Sequence, residues 1–349
     1  MIQIFQWSKR MFARIFQSKK APEQTLKITM LGARGVGKTS FLAAIYDQFD
    51  KIVGQANLQL TIPDDLTRDV LDQRLTELKN FVDKNKNVKV TDGTSKTTSP
   101  RSFFFDLGKT GVSPSLRLEF QDYPGGYMDE SEATSEQVKS VENFIRESAV
   151  VLIAIDTPPL MEKEGEWHEY FNQPETVRKL FKKAYQNLDS PRLVIFTPVK
   201  CESYVQNDRD ASNLLERIRE KYATLLEFFS ADELRSKVAV VVTPVQTVGS
   251  VIFSRVENKD GTPYFYFRKG DSADKYQPKD SEQPLRYLLR FLLRLHLEKR
   301  RVPIIDSILN FFGRDTVLKD AISEFANGCK NTGGFSVLQG ANLLRINRN

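Results

Sequence analysis

Short runs of apolar or alternating residues recur along the chain and predict β-strands separated by helices and turns. The predicted strands lie at residues 25–31, 101–107, 115–121, 149–155, 192–196 and 238–242. A turn at residues 108–111 joins the second and third of them as a hairpin. Strands that alternate with helices indicate an α/β fold, with a mixed, mostly parallel sheet and helices on both faces.

Apolar residues spaced three and four positions apart predict the helices. Residues 40–46 have the pattern of the first turns of a helix directly after the first strand. A longer helix is predicted from Pro63 to about Lys84, with an apolar stripe that faces the core. Residues 284–297 predict a further helix with leucines on one side.

Two insertions lengthen this α/β core. The first, residues 50–100, contains the helix from Pro63 and then residues 85–100, which are rich in Lys, Thr, Ser and Asn. We expect a mobile loop there. The second insertion, residues 250–282, begins with apolar runs at 251–256 and 264–267 that predict a hairpin.

The C-terminal region predicts more helices. Arg286, Arg290 and Arg294 repeat every four residues. We interpret them as a solvated edge, with a nucleic-acid surface as the alternative. Residues 303–312 and 315–326 have helical patterns, so residues 302–349 are expected to form a helical extension. Recognition of a partner by this extension is a hypothesis.

Residues 1–22 form a separate basic segment before a domain predicted at residues 23–301. Residues 1–20 contain five basic residues, no acidic residue, and apolar residues that gather on one face of a helix. Such a helix suits an anionic membrane surface or the groove of a partner protein. A mitochondrial presequence and packing onto the chain's own domain are the alternatives. The interrupted apolar pattern does not fit a secretory signal.

Composition excludes several classes of protein. The chain has 349 residues, 40% of them apolar and 28% charged, which is ordinary for a globular protein. Two cysteines argue against a disulfide framework, and two histidines argue against a histidine-based metal cluster. The sequence contains no run of 18 apolar residues and therefore predicts no membrane span. A net charge of +6 gives no specific nucleic-acid signal. We expect a cytoplasmic protein that can associate peripherally with a membrane.

A glycine-rich turn separates the first predicted strand from the following helix. It places several backbone N–H groups and the positive end of a helix around one point, where a phosphate group binds. Lys38 can then reach the β and γ phosphates, and the Thr39 hydroxyl can hold Mg²⁺. The predicted nucleotide-binding residues are Gly32, Arg34, Gly35, Val36, Gly37, Lys38, Thr39 and Ser40. The alternative is a chance match, which the flanking strand and helix disfavour.

A second motif, Asp122-Tyr-Pro-Gly125-Gly126, directly follows the strand predicted at residues 115–121. An acidic residue at the end of a neighbouring strand suits a role near Mg²⁺, and the Gly125 N–H can meet the γ-phosphate. An ordinary turn is the alternative. The position of the motif after a phosphate-binding loop and a hairpin favours the nucleotide interpretation.

Two further strands are each followed by Thr-Pro-Val, beginning at Thr197 and at Thr243. We interpret both segments as turns at the carboxyl edge of the sheet, where ligands bind in open α/β folds.

With these motifs in this order, residues 25–250 resemble the Ras-like GTPases of the TRAFAC clade, in particular bacterial double-GTPase-like proteins. The resemblance implies a P-loop fold that binds GTP or GDP with Mg²⁺. Those proteins carry Asn-Lys-x-Asp where this sequence has Val-Lys200-Cys-Glu202. The resemblance therefore implies that Lys200 lies over the purine and that Glu202 accepts hydrogen bonds from guanine. An exposed charged pair is the alternative. Backbone groups between Thr243 and Thr247 are expected to contact the base.

The resemblance also implies slow hydrolysis. Ras-like enzymes usually place a Gln directly after Asp-x-x-Gly to orient the attacking water, and this chain has Gly126 there. The expected catalytic residues are Lys38, Arg34 and Gly125. Arg34 is either a cation for the transferred phosphoryl group or a solvated loop residue.

A threonine of the first switch should bind Mg²⁺ only when the γ-phosphate is present. Thr97 and Thr98 are the candidates, and Thr98 completes a predicted magnesium site with Thr39 and Asp122. The sequence thus predicts a guanine-nucleotide switch that acts on an effector or regulator protein. An ATP-driven P-loop enzyme, a non-hydrolysing scaffold and a nucleotide-dependent dimer stay open.

Overall fold

The computed structural model describes residues 22, 24–53, 57–84, 87–89, 99–128, 133–271, 275–298 and 316–345. The predicted N-terminal helix, the helix predicted at residues 303–312, Thr97 and Thr98 lie outside them. The strands of the described residues are β1 (Gln24–Leu31), β2 (Leu58–Thr61), β3 (Asn87–Lys89), β4 (Arg101–Lys109), β5 (Leu116–Asp122), β6 (Val150–Asp156), β7 (Arg192–Val199), β8 (Val238–Val242), β9 (Val251–Lys259), β10 (Thr262–Lys269) and β11 (Ser336–Gln339).

The α-helices of the same residues follow the predicted alternation with the strands. They are α1 (Lys38–Val53), α2 (Asp65–Lys84), α3 (Ser135–Glu147), α4 (Thr157–Met161), α5 (His168–Asn172), α6 (Pro174–Ala184), α7 (Asp208–Lys221), α8 (Ala223–Phe229), α9 (Asp232–Arg235), α10 (Gln283–Leu297) and α11 (Thr316–Asn327). Among these helices, none combines the length and the apolar character that spanning a bilayer requires.

An eight-stranded sheet with the order β11-β8-β7-β6-β1-β5-β4-β2 forms the centre of the molecule. Strand β1 pairs in parallel with β5 and β6, and β7 pairs in parallel with β6 and β8. Strands β2, β4 and β11 join antiparallel towards the two edges. The predicted mixed, mostly parallel sheet is confirmed.

The central strands are buried on both faces, because helices cover each side of the sheet. Alternate residues of β6 point into two separate core clusters, Val150, Leu152 and Ala154 into one and Val151, Ile153 and Ile155 into the other. Helices α1, α2, α10 and α11 contribute to the first cluster, and α3, α6, α7 and α8 contribute to the second. This double layer fixes the strand ends that carry the predicted site.

A separate three-stranded sheet with the order β3-β10-β9 joins the two insertions. Strands β9 and β10 form the predicted hairpin. Strand β3 pairs antiparallel with β10, with Val88 opposite Phe267. The prediction of a mobile loop at residues 85–100 is therefore wrong for β3. Phe265 and Phe267 pack beneath this sheet with Val82 and Trp167.

The arginines of α10 do not form the solvated edge that their spacing predicts. Arg286 Nη1 donates to Phe325 O at 2.5 Å, Arg290 Nε to Leu344 O at 2.6 Å, and Arg294 Nε to Asn342 O at 3.0 Å. Their guanidinium groups therefore bind main-chain carbonyl groups of the C-terminal segment. That segment also adds β11 to the edge of the large sheet, so residues 316–345 belong to the same packed unit.

Two predicted turns are shorter than expected. Gly108 lies inside β4, and residues 197–199 are the last three residues of β7. In both places the backbone continues its pairing with a neighbouring strand, Gly108 with Gln59 and residues 197–199 with the end of β6.

Candidate functional site

The loop of residues 32–37 joins the end of β1 to the start of α1, as its sequence predicts, and residues 38–40 form the first turn of that helix. Gly37 has a φ of 113°, which residues with a side chain rarely adopt, so the turn into the helix requires glycine. The Phe41 N–H donates to Gly37 O at 2.9 Å and closes the first helical turn. Residues 38–40 thus lie where helical N–H groups lack intrahelical acceptors and the helix dipole favours an anion.

Lys38 is the buried cation of this loop. Its side chain is 8% exposed, and its Nζ donates to Gly32 O at 2.8 Å. The same Nζ lies 3.6 Å from Asp122 Oδ1. Burial lowers the pKa of Lys38, and the nearby Asp122 carboxylate acts in the opposite direction. The ammonium group is therefore held between the loop and the carboxylate that the sequence assigns to the same site.

Asp122 ends β5 and is 2% exposed. Burial raises its pKa, and the charges of Lys38 and Arg101 lower it. Within the described residues, Asp122 Oδ1 has no hydrogen-bond partner. A buried oxygen without a donor suits a cation, and Mg²⁺ prefers oxygen ligands. Asp122 therefore fits a role near a magnesium ion, and Thr39 stays a predicted ligand.

Gly125 lies directly against the phosphate-binding loop. A Cβ atom at this position would come within 2.2 Å of Arg34 N, so only glycine permits the approach. The Arg34 side chain is exposed. The structure thus brings the Asp-x-x-Gly motif and residues 32–40 together, as the sequence predicts.

Gly125 is the first residue of a short 3-10 helix, Gly125–Met128. Met128 is 1% exposed, and the Tyr123 hydroxyl donates to its Sδ at 3.4 Å. The Met128 side chain therefore faces the core. Gly126 has no side chain, so neither residue can orient a water molecule as a glutamine amide does.

Lys200 connects the end of β7 to two other parts of the site. Its Nζ donates to Gly35 O at 3.2 Å and to Asp156 Oδ2 at 2.5 Å. Lys200 has a φ of 56°, an uncommon conformation for a residue with a side chain. The predicted base-side lysine therefore contacts the phosphate-binding loop and the end of β6.

Residues 243–249, here named the base-side loop, follow β8 and lie beside the end of β7. The Thr243 N–H donates to Phe196 O at 2.9 Å, and the Val245 N–H donates to Pro198 O at 2.8 Å. The two Thr-Pro-Val segments are therefore neighbours at the carboxyl edge of the sheet, as predicted.

Glu202 is 6% exposed, so the alternative of an exposed charged pair is wrong for this residue. Its Oε1 accepts hydrogen bonds from Val248 N at 3.0 Å and from Gly249 N at 3.1 Å. Burial raises the pKa of the carboxyl group, and these backbone donors lower it. Glu202 thus contacts the base-side loop through the main chain of that loop.

Asp156 is a site residue that the sequence analysis did not identify. Besides its ion pair with Lys200, its backbone N–H and C=O both bind the side chain of Asn172, at 2.7 and 3.0 Å. Asn172 Nδ2 also lies 3.1 Å from His168 Nδ1. The sequence signal that could have identified Asp156 is an acidic residue at the end of an apolar strand. The same signal identified Asp122.

The predicted switch threonines cannot be placed, since both lie outside the described residues. The register of β4 and β5 sets Arg101 opposite Asp122. The segment directly before Arg101 therefore enters the sheet at the edge where Asp122 lies.

Residues 27–253 of the chain match the Double-GTPase 2 family, and this range contains every predicted site residue. The chain belongs to this family. Membership in the Double-GTPase 2 family supports GTP binding by a P-loop GTPase fold. The predicted relation to TRAFAC-type GTPases is confirmed. Among curated proteins, no sequence matches the chain.

Solved structures similar to this Double-GTPase 2 chain include the GTPase-like domain of S. cerevisiae Ski7 bound to GTP, with 12% identity and a TM-score of 0.37. That match covers 64% of this chain and 43% of the Ski7 chain, less than half of its length. A chain of the signal recognition particle receptor SRb-GTP/SRX complex from Chaetomium thermophilum has 16% identity and a TM-score of 0.36, over 64% of this chain and 91% of that chain.

Proposed function

We propose that this protein is a GTP-dependent molecular switch that hydrolyses GTP slowly and regulates a partner protein. The observation that carries the proposal is the meeting of three elements: Lys38 bonded to Gly32, the buried Asp122 at 3.6 Å from it, and Gly125 packed against Arg34. Membership in a GTPase family supports guanine as the base.

In this proposal, Lys38 leaves Asp122 and neutralises the β and γ phosphates of GTP. Thr39 and Asp122 would hold Mg²⁺, and the bound ion would supply charge stabilisation to the phosphate oxygens. The Lys38 ammonium group already lies between Gly32 O and Asp122, so we expect this step to need only a short movement of that group. Gly125 lies against Arg34 of the loop, and in this proposal its N–H meets the γ-phosphate.

Slow turnover follows from the groups beside Gly125. The Met128 side chain is buried and bonded to Tyr123, and Gly126 carries no side chain. Hydrolysis requires a water molecule to attack the γ-phosphorus while GDP departs. Ras-like enzymes orient this water with a glutamine amide directly after Asp-x-x-Gly, and the residue at that position here is Gly126. We expect a single-turnover rate on the order of 10⁻² s⁻¹ or slower without a partner, because intrinsic GTPase rates lie in that range.

The switch itself rests on a difference between the two nucleotide states. GTP and GDP differ in the γ-phosphate, which Gly125 and the first switch can contact. A partner that binds one arrangement of residues 122–128 then distinguishes the two states. Residues 1–20 remain a proposed membrane or partner contact.

Calorimetric titration with GTP, GDP and ATP in the presence of Mg²⁺, together with single-turnover hydrolysis, tests the proposal. Wild type should bind GTP and GDP more tightly than ATP, and Lys38→Ala should bind none of them measurably. Lys27→Ala is the matched control, because that lysine lies on β1 in an exposed ion pair with Glu147. Equal binding of ATP would favour an ATPase, and bound GTP that never turns over would favour a scaffold; both results would contradict the proposal.

A further inference from the structure

We propose that Glu202 is a positioning residue that holds the base-side loop and does not read the purine ring. This inference rests on the proposed function, since it concerns the same nucleotide site. It departs from the role that the family resemblance implies for Glu202, and it predicts a different response to substitution.

The hydrogen bonds of Glu202 support this assignment. Oε1 accepts from two consecutive backbone N–H groups, those of Val248 and Gly249, at 3.0 and 3.1 Å. Val248 is 8% exposed and Glu202 is 6% exposed, so water has little access to either group. A carboxylate that turned towards guanine would leave both N–H groups without this acceptor, and the loss is strongly unfavourable for the buried Val248 N–H.

The length of the side chain gives an independent argument. Guanine offers two neighbouring donors, N1–H and N2–H, and a carboxylate reads them as a pair only when both of its oxygens face the base. In this chain, one oxygen already accepts two main-chain hydrogen bonds. The extra methylene of Glu relative to Asp lets the carboxylate extend to Val248 and Gly249, beyond the Thr243–Thr247 segment expected to lie against the base.

Further contacts show that the surroundings of Glu202 form a support for the loop. The Ser203 side chain, next in sequence, accepts a hydrogen bond from Phe253 N at 2.7 Å. The 3-10 helix Glu202–Tyr204 thus holds both the base-side loop and the first residues of β9. In this arrangement, main-chain groups of the base-side loop contact the purine, and Glu202 sets their position.

Glutamine at position 202 separates the two roles. Its amide oxygen can accept the same two hydrogen bonds, so a positioning role is preserved. A residue that reads guanine N1 and N2 would instead present an NH₂ donor to two donors, and would favour xanthine, which has an oxygen at position 2. Binding of fluorescent GDP, IDP, XDP and ADP to wild type, Glu202→Gln, Glu202→Asp and Glu202→Ala therefore discriminates between the roles.

We expect Glu202→Gln to keep the wild-type order of nucleotides and an affinity for GDP within about threefold of wild type. Glu202→Ala leaves two N–H groups unsatisfied, so it should weaken all purine nucleotides together by about 10- to 100-fold. Glu202→Asp, which is too short to reach the loop, should resemble Glu202→Ala. The matched control is Glu136→Gln, the same chemical change at an exposed position in the first turn of α3.

A gain of xanthine nucleotide over guanine nucleotide in Glu202→Gln would overturn the inference. So would a loss of GDP affinity in Glu202→Gln as large as that in Glu202→Ala, because the charge itself would then be required.

Hydrogen exchange of residues 246–250 in the nucleotide-free protein provides a second measurement that does not depend on binding. Exchange should be faster in Glu202→Ala and unchanged in Glu202→Gln. If no variant binds any purine nucleotide, the proposed function fails, while this exchange measurement still decides the positioning role. Unchanged exchange in Glu202→Ala would contradict it.

Discussion

Replacing His168 by glutamine tests how the strand end that carries Asp156 is held in place. His168 is 3% exposed, and its Nδ1 lies 3.1 Å from the amide nitrogen of Asn172. That nitrogen is a donor, so His168 Nδ1 must be an unprotonated acceptor. Burial, with a smaller contribution from Lys221, lowers the pKa of His168 from 6.5 to about 4.

The sign and size of the effect follow from these two values. Below pH 6.5 the unfolded chain binds a proton at His168, while the folded protein does not until the pH approaches 4. Stability is therefore fully present above pH 6.5 and is lost as the pH falls through that window. Since each pH unit within the window corresponds to about 1.4 kcal/mol, the free energy of unfolding should fall by about 2 kcal/mol between pH 7 and pH 5 from this residue alone.

Urea unfolding of wild type and His168→Gln at pH 7 and pH 5 measures this contribution. Other groups titrate in the same range, so the informative quantity is the difference between the two proteins in their pH dependence. The loss on going to pH 5 should be about 2 kcal/mol smaller in His168→Gln than in wild type.

A loss of stability at pH 5 in His168→Gln as steep as the loss in wild type would contradict this prediction. That result would mean that His168 is protonated in the folded state, and that its contact with Asn172 differs from the hydrogen bond described above.

Three further predictions concern the site and its support. Gly125→Ala places a methyl group where only 2.2 Å is available, so it should displace the loop, lower the free energy of unfolding by about 1–3 kcal/mol and weaken GTP binding more than GDP binding in titration calorimetry. Asp156→Asn removes the charged partner of Lys200, and the affinity for GDP should fall by at least about tenfold, because a charge-assisted hydrogen bond contributes ~1.5–3 kcal/mol. Arg290→Met leaves the carbonyl of Leu344 without its donor, so limited proteolysis should cut the C-terminal segment faster than in wild type, with nucleotide affinity unchanged.

Each of these has a result that would contradict it. Equal GTP and GDP affinities in Gly125→Ala would show that the close approach has no role in sensing the γ-phosphate. Wild-type affinity in Asp156→Asn would show that the negative charge of Asp156 is not needed to hold Lys200. An unchanged cleavage pattern in Arg290→Met would show that the remaining arginines of α10 suffice.

Local sequence patterns were sufficient to predict those parts of the fold and the site that short segments determine. The glycine-rich turn before Lys38 and the acidic residue after a strand at Asp122 each carry their own geometry, because a strand, a turn and a helix start define the position of a phosphate. The long apolar runs of β6, β7 and β8 likewise predict strands that are buried on both faces.

Other features depend on contacts between residues far apart in the chain, and for these the local pattern predicts a different structure. The spacing of Arg286, Arg290 and Arg294 is typical of a solvated helix edge, and only the C-terminal segment that covers them makes them donors to carbonyl groups. The polar sequence around β3 predicts a loop, but the edge of β10 offers it a partner. Asp156 gains its role from Lys200, which directly follows the neighbouring strand β7.

The three-stranded sheet makes the two insertions mutually dependent. Its strands come from both insertions, and its lower side covers Val82, Trp167, Phe265 and Phe267. Deleting β9 and β10 would remove the strand with which β3 pairs. Deleting the first insertion would expose the edge of β10 and part of this apolar layer. Exposed edges and apolar surfaces promote aggregation. A version of the chain that lacks only one of the two insertions should therefore be more prone to aggregation than the intact chain.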